Sequence, residues 1–141
     1  MGTTDIRRLD QLELFADCDR AELRRIEPLT TFLRVPKDQV LLREGQAPQQ
    51  FIVVGRGTAR LTRASEDGAG PITEIGDGGF IGESALLSGS RVEATATAAT
   101  DLSVFVSSAS EFRSILRIAP SVEQKVRRAS LVRAATDGIA A

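Results

Sequence analysis

Gly78-Gly79-Phe80-Ile81-Gly82-Glu83-Ser84-Ala85-Leu86-Leu87-Ser88-Gly89-Ser90-Arg91-Val92-Glu93-Ala94-Thr95-Ala96 packs glycines, a carboxylate, a short apolar helix candidate and an arginine into one stretch. Gly82 lets the backbone turn sharply and approach a ligand, because no Cβ intervenes. Residues 83–87 are long enough for one or two helical turns. The N–H groups of the first turn lack intrahelical partners and attract anions, phosphate above all. Beyond the helix, Val92, Ala94, Ala96 and Ala98 fall on one parity and Glu93, Thr95 and Thr97 on the other. That alternation predicts a strand with one buried face.

Strand signals continue on both sides. Upstream, periodicity and turn residues predict strands over 31–35, 39–43, 50–54, 58–62 and 71–75, separated by Pro36-Lys37-Asp38, Glu44-Gly45-Gln46, Gly55-Arg56-Gly57 and a polar loop over 64–70. Downstream, 92–98 and 102–106 are split by a turn at Thr100-Asp101. At least seven short, evenly spaced strands indicate a mainly β fold, an antiparallel roll or sandwich. Helices flank it. A short helical entry is expected over 6–14. Asp19-Arg20-Ala21-Glu22 has capping-box spacing and opens a helix that carries Leu23 and Ile26 inward and stops before Pro28. Ser108-Ala109-Ser110-Glu111 is a second capping box, opening a helix with Phe112, Ile115, Leu116 and Ala119 on one face. Ser121-Val122-Glu123-Gln124 reads as a third, opening a last helix that carries Val122, Val126 and Ala129 and ends at Gly138. Lys125, Arg127, Arg128 and Arg133 make that helix basic.

Phe80-Ile81-Gly82-Glu83-Ser84-Ala85-Leu86-Leu87, followed by Arg91 and Ala94-Thr95-Ala96, resembles the phosphate-binding cassette of cyclic nucleotide-binding domains. These are the sensor domains of catabolite-activator-type regulators, protein kinase A regulatory subunits and cyclic-nucleotide-gated channels. Val40-Leu41-Leu42-Arg43-Glu44-Gly45, the hairpin around Gly55-Arg56-Gly57 and the element from Leu12 to Ile26 are similar to the same family, so the resemblance covers roughly 9–135. It implies one domain over 1–141: N-terminal helices over about 5–28, a double-stranded β-helix or jelly roll over about 30–107, and C-terminal helices over about 108–137. It implies that Glu83 takes a ribose 2′-hydroxyl, that the N–H groups of Gly82, Glu83 and Ser84 face a cyclic phosphate, and that an arginine before the small-residue strand pairs with that phosphate. The ligand-binding candidates are Gly82, Glu83, Ser84, Arg91, Val92, Glu93, Ala94 and Thr95.

The arginine departs from the family pattern. Relatives place it three residues before the Thr, whereas Arg91 stands four before Thr95 and Val92 occupies the expected position. Side chains alternate across a strand, which puts Val92 with Ala94 and Ala96, and Arg91 with Glu93. A bulge would re-aim Arg91 toward the pocket. Two readings stand. In one, the chain is a cAMP- or cGMP-binding regulatory sensor whose ligand pulls a hinge between Phe105 and Pro120 and moves the last helix. In the other, it is a degenerate member of the fold that acts as an interaction or dimerisation module and binds no nucleotide. Neither reading assigns the base, so cAMP and cGMP stay equal.

Composition sets the remaining bounds. The chain has 141 residues, 42% of them hydrophobic, with a net charge of −1. Nothing here marks a nucleic-acid or membrane-surface partner, and no apolar run is long enough for a span. The absence of histidine removes imidazole acid–base chemistry, His-built metal sites and Ser-His-Asp arrangements together. An enzyme, a catalytic residue, a metal and a resident cofactor are therefore not expected. Cys18 is the single cysteine, which suits a reducing cytoplasm. No helix-turn-helix, kinase or channel pattern follows the last helix. The effector is expected in another protein or domain, and the last helix is the candidate homodimer contact.

Overall fold

The computed structural model describes residues 9–64 and 70–140, with backbone only at 71–72 and 133–140. The N-terminal stretch forms two 3₁₀ turns, Leu9–Gln11 and Glu13–Phe15, in place of the continuous helix expected over 6–14, whose first residues lie outside the described set. Helix α1 follows at Arg20–Ile26. Its capping box is formed: Asp19 Oδ1 accepts from the Glu22 N–H at 2.8 Å, and Glu22 Oε1 accepts from the Asp19 N–H at 2.9 Å. The chain does not leave helical geometry before Pro28. It tightens into a third 3₁₀ turn, Glu27–Leu29, where proline is tolerated because the first positions of a turn need no N–H donor.

Eight strands then build two four-stranded antiparallel sheets. They are β1 Thr31–Val35, β2 Val40–Leu42, β3 Gln50–Arg56, β4 Ala59–Arg63, β5 Gly70–Ile75, β6 Phe80–Ile81, β7 Thr95–Ala98 and β8 Leu102–Ser108. One sheet runs β1-β8-β3-β6 and the other β2-β7-β4-β5. This is the mainly β roll that the strand spacing predicts. Between the sheets lies an aliphatic core that includes Leu42, Ile52, Val54, Leu61, Ile81, Val92, Ala96 and Val104. The outer face of the first sheet meets the helices, where Phe51, Val53 and Phe105 pack with Phe15, Ile26, Phe112, Ile115 and Val122. Strand β3 is therefore covered on both faces. That explains why Phe51-Ile52-Val53-Val54 is a continuous apolar run and not an alternating one.

Helix α2 spans Glu83–Ser88, between β6 and β7. After β8 come α3, Ala109–Ile118, and α4, Pro120–Ala140. The Ser108 capping box is formed, with the Glu111 N–H donating to Ser108 Oγ at 3.1 Å and the Ser108 N–H to Glu111 Oε1 at 2.9 Å. Ser121 is not a cap. The last helix starts one residue earlier, at Pro120. The N–H groups of Val122 and Glu123 both donate to the Ala119 carbonyl, at 3.0 and 3.1 Å. Proline at the first helical position has its φ preset and no N–H to satisfy, so it outcompetes the serine as the start. Nor does Gly138 end the helix, which continues to Ala140. Among the described residues, no helix is long and apolar enough to cross a membrane.

Candidate functional site

The glycine-rich approach to α2 is held against the first sheet. The Gly78 N–H donates to the Val54 carbonyl at 2.7 Å, and the Val54 N–H to the Gly79 carbonyl at 2.8 Å. Strand β6 then pairs Ile81 with Ile52 and Phe80 with Val53. Gly82 turns the chain into α2 with φ +94°, and a Cβ there would stand 2.5 Å from the Gln50 carbonyl oxygen. Only glycine satisfies both conditions. Gly89, at φ +71°, closes the helix with its N–H on the Ala85 carbonyl at 2.9 Å.

A cavity of about 500 Å³ opens beside this turn. Its walls come from three places: Gly82, Ser84 and Ala85 of the α2 turn; Leu61, Arg63, Thr73, Ile75 and the segment Val92-Glu93-Ala94 of the second sheet side; and Ala129 and Val132 of α4. Small residues at 85, 94 and 129 leave the space, and aliphatic side chains dominate the lining. Its size falls within the usual range of small-molecule sites.

The candidate residues divide. Gly82, Ser84, Val92, Glu93 and Ala94 line the cavity. Glu83 is fully buried but is not among its lining residues; the Ser84 hydroxyl donates to Glu83 Oε2 at 3.1 Å. With its proton so directed, Ser84 Oγ accepts from Ser130 Oγ of α4 at 3.2 Å. Thr95 Oγ1 accepts from the Glu44 N–H at 3.0 Å, outside the cavity. Arg91 also lies outside it, exposed, with Nη1 donating to the Gly45 carbonyl at 2.9 Å. The bulge that would re-aim it does not form. Residue 92 instead exchanges backbone hydrogen bonds with the 45–46 turn, Val92 N–H to Gln46 O at 2.9 Å and Gly45 N–H to Val92 O at 2.8 Å. This pairing fixes Val92 inward, 6% exposed, and Arg91 outward. Strand β7 correspondingly begins at Thr95 and not at 92.

Arg63 is the residue the motif could not reveal. It is the cation among the described lining residues, and its Nε donates to the Glu93 carbonyl at 3.3 Å. A signal existed, since Arg63 shares strand parity with Ala59 and Leu61, both buried. Other contributors outside the candidate set include Leu42, Leu61, Thr73, Ile75, Ala129 and Val132, from elements far apart in sequence.

The roll, the glycine turn into a short helix, and a cavity bordered by a C-terminal helix make up the β-roll of a cyclic nucleotide-binding-type fold. A family profile described as the cyclic nucleotide-binding domain matches residues 32–118, more than half of the chain, and the chain belongs to that family. It is 34% identical over 129 residues to an acetyltransferase, Pat, of Mycolicibacterium smegmatis, covering 88% of this chain and 38% of that protein. It is also 34% identical over 99 residues to a cyclic nucleotide-gated potassium channel of Rhizobium etli, covering 70% of this chain and 26% of the channel. Among solved structures, the regulatory subunit of a cAMP-independent protein kinase A from Trypanosoma brucei superposes with a TM-score of 0.80 at 18% identity, covering 92% of this chain and 47% of that one. The chain thus spans little more than a quarter to a third of the length of the two sequence relatives.

Proposed function

We propose that this chain is a regulatory sensor module that binds a cyclic nucleotide, cAMP or cGMP, in the cavity beneath α4 and passes the occupancy to an effector as a change in that helix; it is not itself an enzyme. The observation that carries this reading is the position of the cavity: it opens at the Gly82–Ser84 turn, and α4 closes its other side through Ala129 and Val132. A ligand there contacts the cassette and the helix together. Its differential affinity for the two helix positions is then the free energy available for signalling.

One observation favours a second reading. Val92 is buried where the family pattern calls for arginine, and Arg91 is committed to the Gly45 carbonyl. A chain so built serves as an interaction or dimerisation module that takes no nucleotide. Calorimetric titration with cAMP and with cGMP separates the two when applied to the wild type, Glu83→Gln and Val92→Arg. Saturable wild-type binding, weakened by Glu83→Gln, supports the sensor. A silent wild type with binding gained in Val92→Arg identifies the module. Silence from all three removes the nucleotide from the account altogether.

A further inference from the structure

We infer that the cavity is an anion site whose charge partner is Arg63, delivered by β4 across the ladder and not by the cassette itself. The inference rests on reading the cavity as a ligand site, and it names the ligand class: a small organic anion with an apolar body and its negative group at the Arg63 end.

The cassette supplies the cavity with no cation. Val92 and Ala94 face inward as aliphatic wall, and Arg91 is outside. Arg63 is the basic residue among the described lining residues. It reaches the wall because β4 alternates: residues 59, 61 and 63 share the inner face, and Ala59 and Leu61 are buried on it. Strand β4 pairs with β7, Thr62 opposite Thr95. Residue 63 therefore lies level with the segment just before β7. The bond from Arg63 Nε to the Glu93 carbonyl, 3.3 Å, holds the guanidinium at the residue next to Val92. The charge is restored from a neighbouring strand, one residue from where the cassette lacks it. A guanidinium is the group suited to this task, because its planar fork matches a carboxylate, sulfonate or phosphate in two parallel hydrogen bonds.

The rest of the lining sets the ligand's other end. Leu42, Leu61, Ile75 and Ile81 offer aliphatic contact and no Tyr or Trp, so the ligand body packs by shape and burial. Glu93 also lines the cavity, and its carboxylate opposes an anion. The site therefore carries a pair of levers of opposite sign: Arg63 favours an anion and Glu93 disfavours it.

The test uses two probes, cAMP by calorimetry and anilinonaphthalene sulfonate by fluorescence. They are titrated against the wild type, Arg63→Gln, Arg63→Lys, Arg91→Gln and Glu93→Gln, each checked by thermal unfolding. For whichever probe binds, Arg63→Gln is expected to weaken binding about tenfold, the loss of one charge-assisted contact. Arg63→Lys falls between, keeping the charge without the fork. Arg91→Gln leaves the affinity unchanged, and Glu93→Gln tightens it about threefold by removing a like charge. If cAMP is silent while the sulfonate follows this pattern, the inference stands and the nucleotide reading falls. If cAMP binds wild type and Arg63→Gln alike, the inference falls and the nucleotide reading stands. Equal loss in Arg91→Gln and Arg63→Gln, or no binding of either probe, overturns the inference.

Discussion

Replacing Gly82 by alanine tests the junction on which both the fold and the cavity depend. Two penalties add. The first is conformational: a φ of +94° is open to glycine and costs an L-residue about 1–2 kcal/mol. The second is steric. The new Cβ would stand 2.5 Å from the Gln50 carbonyl oxygen, closer than such atoms approach. That oxygen has little freedom to withdraw. Gln50 opens β3 opposite Ser108, and the preceding carbonyl, that of Gln49, accepts the Ala109 N–H at 3.0 Å. Relief requires the α2 turn to move away from β3, and such overpacking costs about 1–3 kcal/mol. The total is about 3 kcal/mol, or roughly 10 °C in Tm for a chain of this size. Gly89→Ala is the internal control. It shares the left-handed φ, +71°, but a Cβ there meets nothing within 4 Å. It carries the conformational penalty alone, about 1 kcal/mol. Urea unfolding of both variants measures the two costs, with the m-value confirming that the transition is the same. A Gly82→Ala loss within about 0.5 kcal/mol of the Gly89→Ala loss, the usual scatter of additive sites, would refute the close approach to Gln50.

Two further outcomes are expected. Asp19→Ala and Ser108→Ala each remove a formed capping box and cost about 1 kcal/mol, additively in the double variant because the two sets of capping hydrogen bonds have no residue in common; thermal unfolding checks both. Burial raises the Cys18 thiol above its ordinary value of 9.0, ahead of smaller contributions from Ser121, Glu22, Lys125 and Asp19. The unfolded chain therefore gives up its proton first, and this group's contribution to stability is complete below pH 9 and declines as pH climbs from there toward the folded value. Alkylation of the folded protein at pH 8 should accordingly run slower than that of a free thiol, since the thiolate is the nucleophile.

The sequence and the structure agree at several places where one local rule acts. Alternation from 92 to 98 shows in Ala94, Ala96 and Ala98 on the buried side, and the capping boxes at 19 and 108 form with both reciprocal bonds. They part where two local rules compete or where no period exists. Ser121 carried a capping signal, but Pro120 starts the helix first. Strand β6 has two residues, too few to show any alternation, and it exists because the glycine-rich loop bonds to β3. The cavity was legible only along its contiguous edge, from 82 to 94. Its remaining walls come from β2, β4, β5 and α4, brought together by sheet order, and a linear motif carries no record of that. Arg63 illustrates the difference. Its parity was readable, but that the inner face of β4 borders a cavity is a fact of the assembled roll.

The expected hinge between Phe105 and Pro120 lies in packed core, with Phe112, Ile115 and Ala119 at most 1% exposed. The start of α4 is fixed as well. Val122 and Val126 have no exposed surface, and Lys125 Nζ donates to the Glu13 carbonyl at 2.6 Å and faces Asp17 at 3.2 Å. Each buried valine holds the helix down by about 1.5–3 kcal/mol. Past Ala129, Leu131 and Val132 are 73% and 61% exposed, and Ser130 bonds to Ser84 of α2. A hydroxyl hydrogen bond contributes about 1 kcal/mol net. Under the proposed sensor reading, a ligand that engages Ser84 would compete with this bond and so act on α4 at Ser130. The Ser84–Ser130 bond is thus the contact through which the proposed ligand would couple to α4.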